Sequence, residues 1–286
     1  MDDLVSTQWL EEHLDAADIA VIDASSHLPM AKRDARAEFS TAHIPGAHFL
    51  DLATLFDPDS PVPSGIPTQD QFAQRLSDLG LGDARRFVIY DDSDVRTAAR
   101  AWFIFRRYGL TDVAMLDGGL GKWRAEGRAL EAGESRSGGE AEVAANLYLS
   151  GWDVRDKSQM LSNVEDRSEL VVDAREAGRF TGELPDFRPE VASGHIPGSI
   201  NLPFDKVLND DGTYRRGDEL RRVFAGAGVD LARPVVTTCG GGVTAAVLLF
   251  ALHLIGKDDV ALYDGSWSEW GIDPETPKEL GAATVD

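Results

Sequence analysis

Along the chain, short runs of β-branched and aliphatic residues alternate with longer segments whose apolar positions recur every three or four residues. Ile19 to Ala24, Phe87 to Tyr90 and Val113 to Leu116 have the length and composition of buried strands. Val5-Ser6-Thr7-Gln8-Trp9-Leu10 opens a short helix with Ser6 or Thr7 as its cap. Thr68-Gln69-Asp70-Gln71 fits a capping box, and Phe72, Leu76 and Leu79 mark one helix face before Gly80. An apolar helix follows Arg96-Thr97-Ala98-Ala99 and ends near Tyr108-Gly109, and Trp123 lies on a short helix after the Asp117-Gly118-Gly119 turn. Strands alternating with helices predict a mainly parallel sheet with helices on both faces.

The pattern then repeats. Val171-Val172-Asp173-Ala174 echoes Val21-Ile22-Asp23-Ala24. His195-Ile196-Pro197-Gly198 echoes His43-Ile44-Pro45-Gly46, and Asp186 precedes its histidine by the same interval as Asp34. Val243-Thr244-Ala245-Ala246 echoes Arg96-Thr97-Ala98-Ala99, and Tyr263-Asp264-Gly265-Ser266 with Trp270 echoes Leu116-Asp117-Gly118-Gly119 with Trp123. So many matches in one order mark a tandem duplication of an α/β unit. The expected division is a first domain over 1–127, a Gly-, Ala-, Ser- and Glu-rich linker over 128–150, and a second domain over 151–286.

One stretch stands out from the repeat. Val235-Val236-Thr237-Thr238 runs into Cys239, the only cysteine, then Gly240-Gly241-Gly242, then an apolar segment from Ala245 to Ile255 closed by Gly256. This reads as strand, tight loop and helix. Parallel sheets bind ligands at the carboxyl ends of their strands, where Cys239 falls. Inward backbone N–H groups and the positive end of a helix favour an anion there, and the nearest candidate anion is the thiolate itself. The glycines keep side chains out of an incoming substrate's way. The competing reading is a buried structural cysteine beside a glycine turn. Laying Thr97 on Thr244 puts Asp92 on Cys239, so the first copy lacks a nucleophile and its loop carries carboxylates instead. Chemistry is therefore expected in the second copy, with the first as its structural partner.

Composition narrows the partners. The formal net charge is −21, which argues against nucleic acid or an anionic membrane and requires a local positive cluster for any anionic substrate. A single cysteine excludes an internal disulfide and a multi-cysteine zinc site. Neither metal nor cofactor is expected. A free thiol suits a reducing compartment, the N-terminus lacks a basic, apolar signal pattern, and no apolar run is long enough to span a bilayer; a cytoplasmic location is expected.

Cys239-Gly240-Gly241-Gly242-Val243-Thr244-Ala245, Asp264-Gly265-Ser266-Trp267 and the paired His-Ile-Pro-Gly motifs resemble the rhodanese-like family, nearest its two-domain 3-mercaptopyruvate sulfurtransferases. The resemblance runs from about Val5 to Trp270. It implies two rhodanese-like domains and transfer of sulfur through a persulfide on Cys239, from 3-mercaptopyruvate to cyanide or a thiol such as thioredoxin or a small thiol. It also implies that Gly240, Gly241, Gly242, Val243 and Thr244 form the active loop, that Arg179 and Arg188 hold substrate, and that His43 and Asp34 serve as a proton relay. Arg179 has no clear counterpart in the first copy, whereas Arg36 matches Arg188, so Arg188 is equally placed to brace its loop against Asp186 or Glu190. His43 and His195, being duplicated, are equally suited to closing a turn. Thr244 either caps the helix or donates to bound sulfur. The family's usual serine is absent at Gly241. No basic residue follows Cys239, which favours a carboxylate-bearing thiol over thiosulfate, the alternative donor. A phosphatase loop would need an arginine where Ala245 stands, the glycines lack the third glycine of a dinucleotide fingerprint, and a sulfur carrier without turnover would not need the intact loop.

Overall fold

Five short parallel strands form the centre of each half of the chain. The computed structural model describes residues 1–63, 65–81, 84–134 and 147–283. In the first half these strands are β1 (Leu4–Val5), β2 (Ile19–Asp23), β3 (His48–Phe49), β4 (Arg86–Tyr90) and β5 (Val113–Leu116), in the order β1-β5-β4-β2-β3. In the second half β6 (Val154–Arg155), β7 (Leu170–Asp173), β8 (Ile200–Asn201), β9 (Val235–Thr238) and β10 (Val260–Tyr263) take the equivalent order β6-β10-β9-β7-β8. Every pairing is parallel. The expected duplicated α/β architecture is present.

The helices of the first half are α1 (Thr7–His13), α2 (Ala35–Thr41), α3 (Gln69–Asp78), α4 (Ala98–Arg107) and α5 (Gly119–Ala125). Those of the second are α6 (Lys157–Asp166), α7 (Ala177–Thr181), α8 (Gly217–Gly226), α9 (Val243–Leu254) and α10 (Ser266–Trp270). Their starts follow local chemistry. Ser6 caps α1 by accepting from Trp9 N at 3.1 Å, and Thr68 and Gln71 form the expected reciprocal capping box on α3. α9 is apolar on all sides, and Ala245 to Leu252 are all buried, as a helix must be when its whole circumference is covered. The cores carry Val21, Val88, Tyr90, Phe39 and Trp123 in the first half, and Val171, Val236, Tyr263, Trp267 and Trp270 in the second.

Two compact units result. One comprises Met1–Pro58, Ile66–Gly151 and Asp210–Tyr214; the other comprises Asp59–Gly65, Trp152–Asn209 and Arg215–Asp286. Residues 135–146 of the expected linker lie outside the described residues. Its opening is anchored: Glu131 bridges His43 and accepts from Gly46 N at 2.8 Å. Glu279 does the same for the second copy, bridging His195 and accepting from Gly198 N at 3.1 Å.

Register fixes which residues of the two copies are equivalent. Asp23 lies opposite Tyr90, and Asp173 lies opposite Thr238. The residue following each of these strand ends is Asp91 in one copy and Cys239 in the other. Leu120 N donates to Asp91 O and Trp267 N donates to Cys239 O, both at 2.9 Å, confirming the match. This corrects the placement of Asp92 on Cys239. Counting back from the threonines fails because Thr97 lies six residues after Asp91, whereas Thr244 lies five after Cys239.

Candidate active site

β9 delivers Cys239 at its carboxyl end, and α9 begins four residues later. Gly242, with φ +77°, makes the turn into the helix in a conformation that suits glycine. Cys239 is 2 % exposed. Its loop is fixed mainly by Ser266, whose Oγ accepts from Cys239 N at 3.1 Å and from Gly242 N at 3.2 Å while donating to Tyr263 O at 2.8 Å. Ser266 itself sits at φ +49°, a left-handed conformation costing a non-glycine residue about 1–2 kcal/mol. The carbonyls of Cys239 and Gly240 turn to α10, accepting from Trp267 N at 2.9 Å and Ser268 N at 2.8 Å. The N–H groups of Gly240 and Gly241 donate to no acceptor among the described residues, so both are available to an anion. A side chain at Gly240 would meet nothing within 4 Å, so the chain is open at that position.

Thr244 does not cap α9. Gly242 holds the cap position, no side chain accepts there, and Thr244 Oγ1 has no partner among the described residues. The same hydroxyl in the first copy does not cap either: Thr97 Oγ1 donates to Ala24 O at 2.7 Å.

Asp186, whose side chain is almost fully buried, gathers the two arginines. Arg188 holds it through Nε at 2.9 Å and Nη2 at 3.2 Å, and Arg179 donates to it through Nη2. Burial alone would push the Asp186 carboxyl up, but hydrogen bonds from Arg188 and the charge of Arg179 outweigh it and hold the group at about 2. Both guanidinium groups also flank Phe187, at 5.3 and 4.9 Å from its ring centre. Two guanidinium groups and one carboxylate leave one net positive charge. Arg179 Nε is buried without a hydrogen-bond partner. Arg188 also donates from Nη1 to Ser268 Oγ at 2.7 Å, and Ser268 Oγ donates to Gly240 O. Two hydrogen bonds thus connect Arg188 to the residue after Cys239. Arg188 both braces its loop against Asp186 and reaches the cysteine loop.

His43 and His195 occupy matching positions. His43 Nδ1 pairs with Phe39 O at 2.8 Å and its ring stacks on Phe39; His195 Nδ1 pairs with Phe180 O at 2.9 Å and its ring stacks on Phe180. Both close turns. Asp34 is exposed and caps α2 by accepting from Ala37 N at 3.0 Å.

At the cysteine's counterpart, the first copy carries its own anion. Asp91 is 3 % exposed and accepts from Ala98 N, at the start of α4, at 2.6 Å. Asp92 points elsewhere, bonded to Arg33 and Arg124 at a cleft of about 470 Å³. Burial raises the Asp91 carboxyl from 3.8 to about 6 despite the bond from Ala98. The folded chain therefore holds this proton more tightly than the unfolded chain. Stability falls as pH rises from about 4 to about 6 and stays lower above that window. Asp91→Asn is expected to flatten this slope and to gain on the order of 3 kcal/mol at pH 8. Urea midpoints at pH 4 and pH 8 would check it, and an unchanged pH dependence would refute the assignment.

A lone cysteine ending a parallel strand, in a glycine-walled loop with unspent amides, defines a thiol-based transfer site on a duplicated α/β domain. The chain belongs to the rhodanese-like family, whose domain model matches residues 6–126 and 156–273. It is 42% identical over 273 residues to the 3-mercaptopyruvate sulfurtransferase of Mus musculus, covering 93% of this chain and 91% of the relative. It is 40% identical over 273 residues to the thiosulfate sulfurtransferase of Gallus gallus, covering 93% and 92%. The crystal structure of the 3-mercaptopyruvate sulfotransferase SseA from Escherichia coli superimposes with a TM-score of 0.82 at 35% identity, over 94% of this chain and all of that one.

Sequence reasoning gave no role to Ser266 or Ser268 and did not single out Asp91. A signal for the serines existed: the internal alignment sets Ser266 against Gly119 and Ser268 against Gly121, so both hydroxyls occur only in the copy with the cysteine.

Proposed function

We propose that this chain transfers sulfur from 3-mercaptopyruvate to a thiol through a persulfide on Cys239. The Cys239 thiolate attacks the substrate sulfur and forms an S–S bond. The carbon–sulfur bond breaks, its electron pair leaves with pyruvate as the enolate, and that enolate takes a proton from solvent. The outer sulfur rests against the N–H groups of Gly240 and Gly241 and the hydroxyl of Thr244. An acceptor thiolate then attacks this sulfur and returns Cys239 as thiolate. Backbone donors aimed at developing charge supply roughly 3 kcal/mol each.

Likeness to relatives does not choose the donor, because the mouse and chicken proteins differ in donor and are almost equally similar. The observation that carries the reading is the charge of the arginine cluster. Arg179, Arg188 and Asp186 together present one positive charge, matching a single carboxylate, and residues 240–242 add no cation for a dianion. Thiosulfate is the second reading, supported by the chicken relative. Comparing kcat/KM for the two donors with cyanide as acceptor tests this. The expected result is a preference for mercaptopyruvate of roughly 10-fold or more, the worth of one charge-assisted contact. A preference for thiosulfate would overturn it. The physiological acceptor is proposed to be thioredoxin or a small thiol, in a reducing compartment such as the cytoplasm. Among the described residues, no helix is long and apolar enough to cross a membrane.

A further inference from the structure

Gly241 is not required by its backbone. Its φ lies outside the left-handed range, unlike that of Gly242. The only atom that a Cβ at position 241 would meet within 4 Å is Ser268 Oγ, at 3.2 Å. The side-chain space of residue 241 is therefore taken by a hydroxyl from α10. That hydroxyl is buried and engaged on both sides, accepting from Arg188 Nη1 at 2.7 Å and donating to Gly240 O. The first copy has glycine at the counterpart of Ser268: a side chain at Gly121 would meet nothing within 4 Å. Its Arg36 lies over the Phe49 ring instead. The Arg–Ser–carbonyl chain is thus specific to the copy with the cysteine and is not a demand of the fold.

We propose that Ser268 is a positioning residue for sulfur transfer. Its hydroxyl couples the substrate-facing Arg188 to the peptide following Cys239, and so holds the loop amides while the carboxylate end of the substrate is gripped. The same geometry makes residues 241 and 268 alternative carriers of one hydroxyl. With Ser268 shortened to alanine, a serine at 241 points its Oγ into the vacated volume beside Arg188. With both serines present, the two side chains crowd.

This inference deepens the sulfurtransferase reading and rests on Cys239 as nucleophile. The test compares four proteins: wild type, Ser268→Ala, Gly241→Ser, and the double variant. Three readouts are taken: kcat and KM for mercaptopyruvate, the rate of Cys239 alkylation by iodoacetamide with no donor present, and the melting temperature. Each single variant is expected to lose roughly 10- to 100-fold in kcat, the scale of a small misplacement of reacting groups. The double variant is expected to recover to within roughly 3-fold of wild type, because neighbouring sites that share one interaction are not additive. Alkylation should follow the same loss and recovery, with the melting temperature of Ser268→Ala lowered by only a few degrees, the scale of one lost buried hydroxyl. A Ser268→Ala enzyme that matches wild type, or losses that multiply in the double variant, would overturn the proposal. If mercaptopyruvate is the wrong donor, the wild type itself fails in the kinetic assay while the alkylation pattern still decides the coupling.

Discussion

Cys239→Ser is expected to abolish sulfur transfer from mercaptopyruvate and from thiosulfate alike, with kcat/KM falling by at least roughly 10,000-fold, the scale seen when a lone nucleophile is removed. The substitution changes one atom and keeps the loop. The backbone anchor at Ser266 and the carbonyl contacts to α10 involve main-chain atoms of residue 239, so they survive. What is lost is a polarisable sulfur that can bond to a second sulfur, a role a serine hydroxyl cannot fill. Mass spectrometry after donor addition provides the independent check: one added sulfur on a peptide containing residue 239 in the wild type, and none in the variant. Turnover that survives the substitution would mean that the sulfur never visits this residue.

Arg179→Ala should raise KM for mercaptopyruvate roughly 10- to 100-fold while leaving kcat nearly unchanged. That range corresponds to one charge-assisted hydrogen bond, about 1.5–3 kcal/mol. The cluster at Asp186 explains the split. Without Arg179, the remaining pair of Arg188 and Asp186 is neutral, and the attraction for a carboxylate is lost in both ground and transition states. A neutral sulfur donor should feel little of this. Arg188→Ala is a different case, because it also removes the contact to Ser268 and should lower kcat as well. If mercaptopyruvate and a neutral donor suffer equally from Arg179→Ala, the cluster serves the loop and not the substrate.

Much of the fold was legible in the residues alone. Strands betray themselves by short β-branched runs, and a duplicated pattern doubles the signal, so the two sheets followed from Val21 to Ala24 and its echo at Val171 to Ala174. The cysteine loop was legible because three glycines directly after a strand mark a backbone kept bare of side chains beside the thiol. The edge strands β1 and β6 were not, since two residues each carry no periodicity. The Asp92 alignment failed because matching short motifs cannot see a loop-length difference, whereas strand register can. Ser268 was hidden for another reason: its role depends on contacts with Arg188 and Gly240, 80 and 28 residues away in the chain. The two histidines illustrate the reverse. Their identical stacking in both copies shows that duplication itself was the informative signal for a turn-closing role.

Gly119 has a consequence for the history of the molecule. In the first copy it adopts φ +58°, and any Cβ there would come within 2.6 Å of the Asp91 carbonyl. The hydroxyl that steadies the cysteine loop in one copy therefore has no room in the other. Grafting a thiol at position 91 alone would leave it without its anchor, in a loop one residue too long. The earlier half is not a dormant second enzyme awaiting one mutation, and sulfur loading is expected to saturate at a stoichiometry of one per polypeptide.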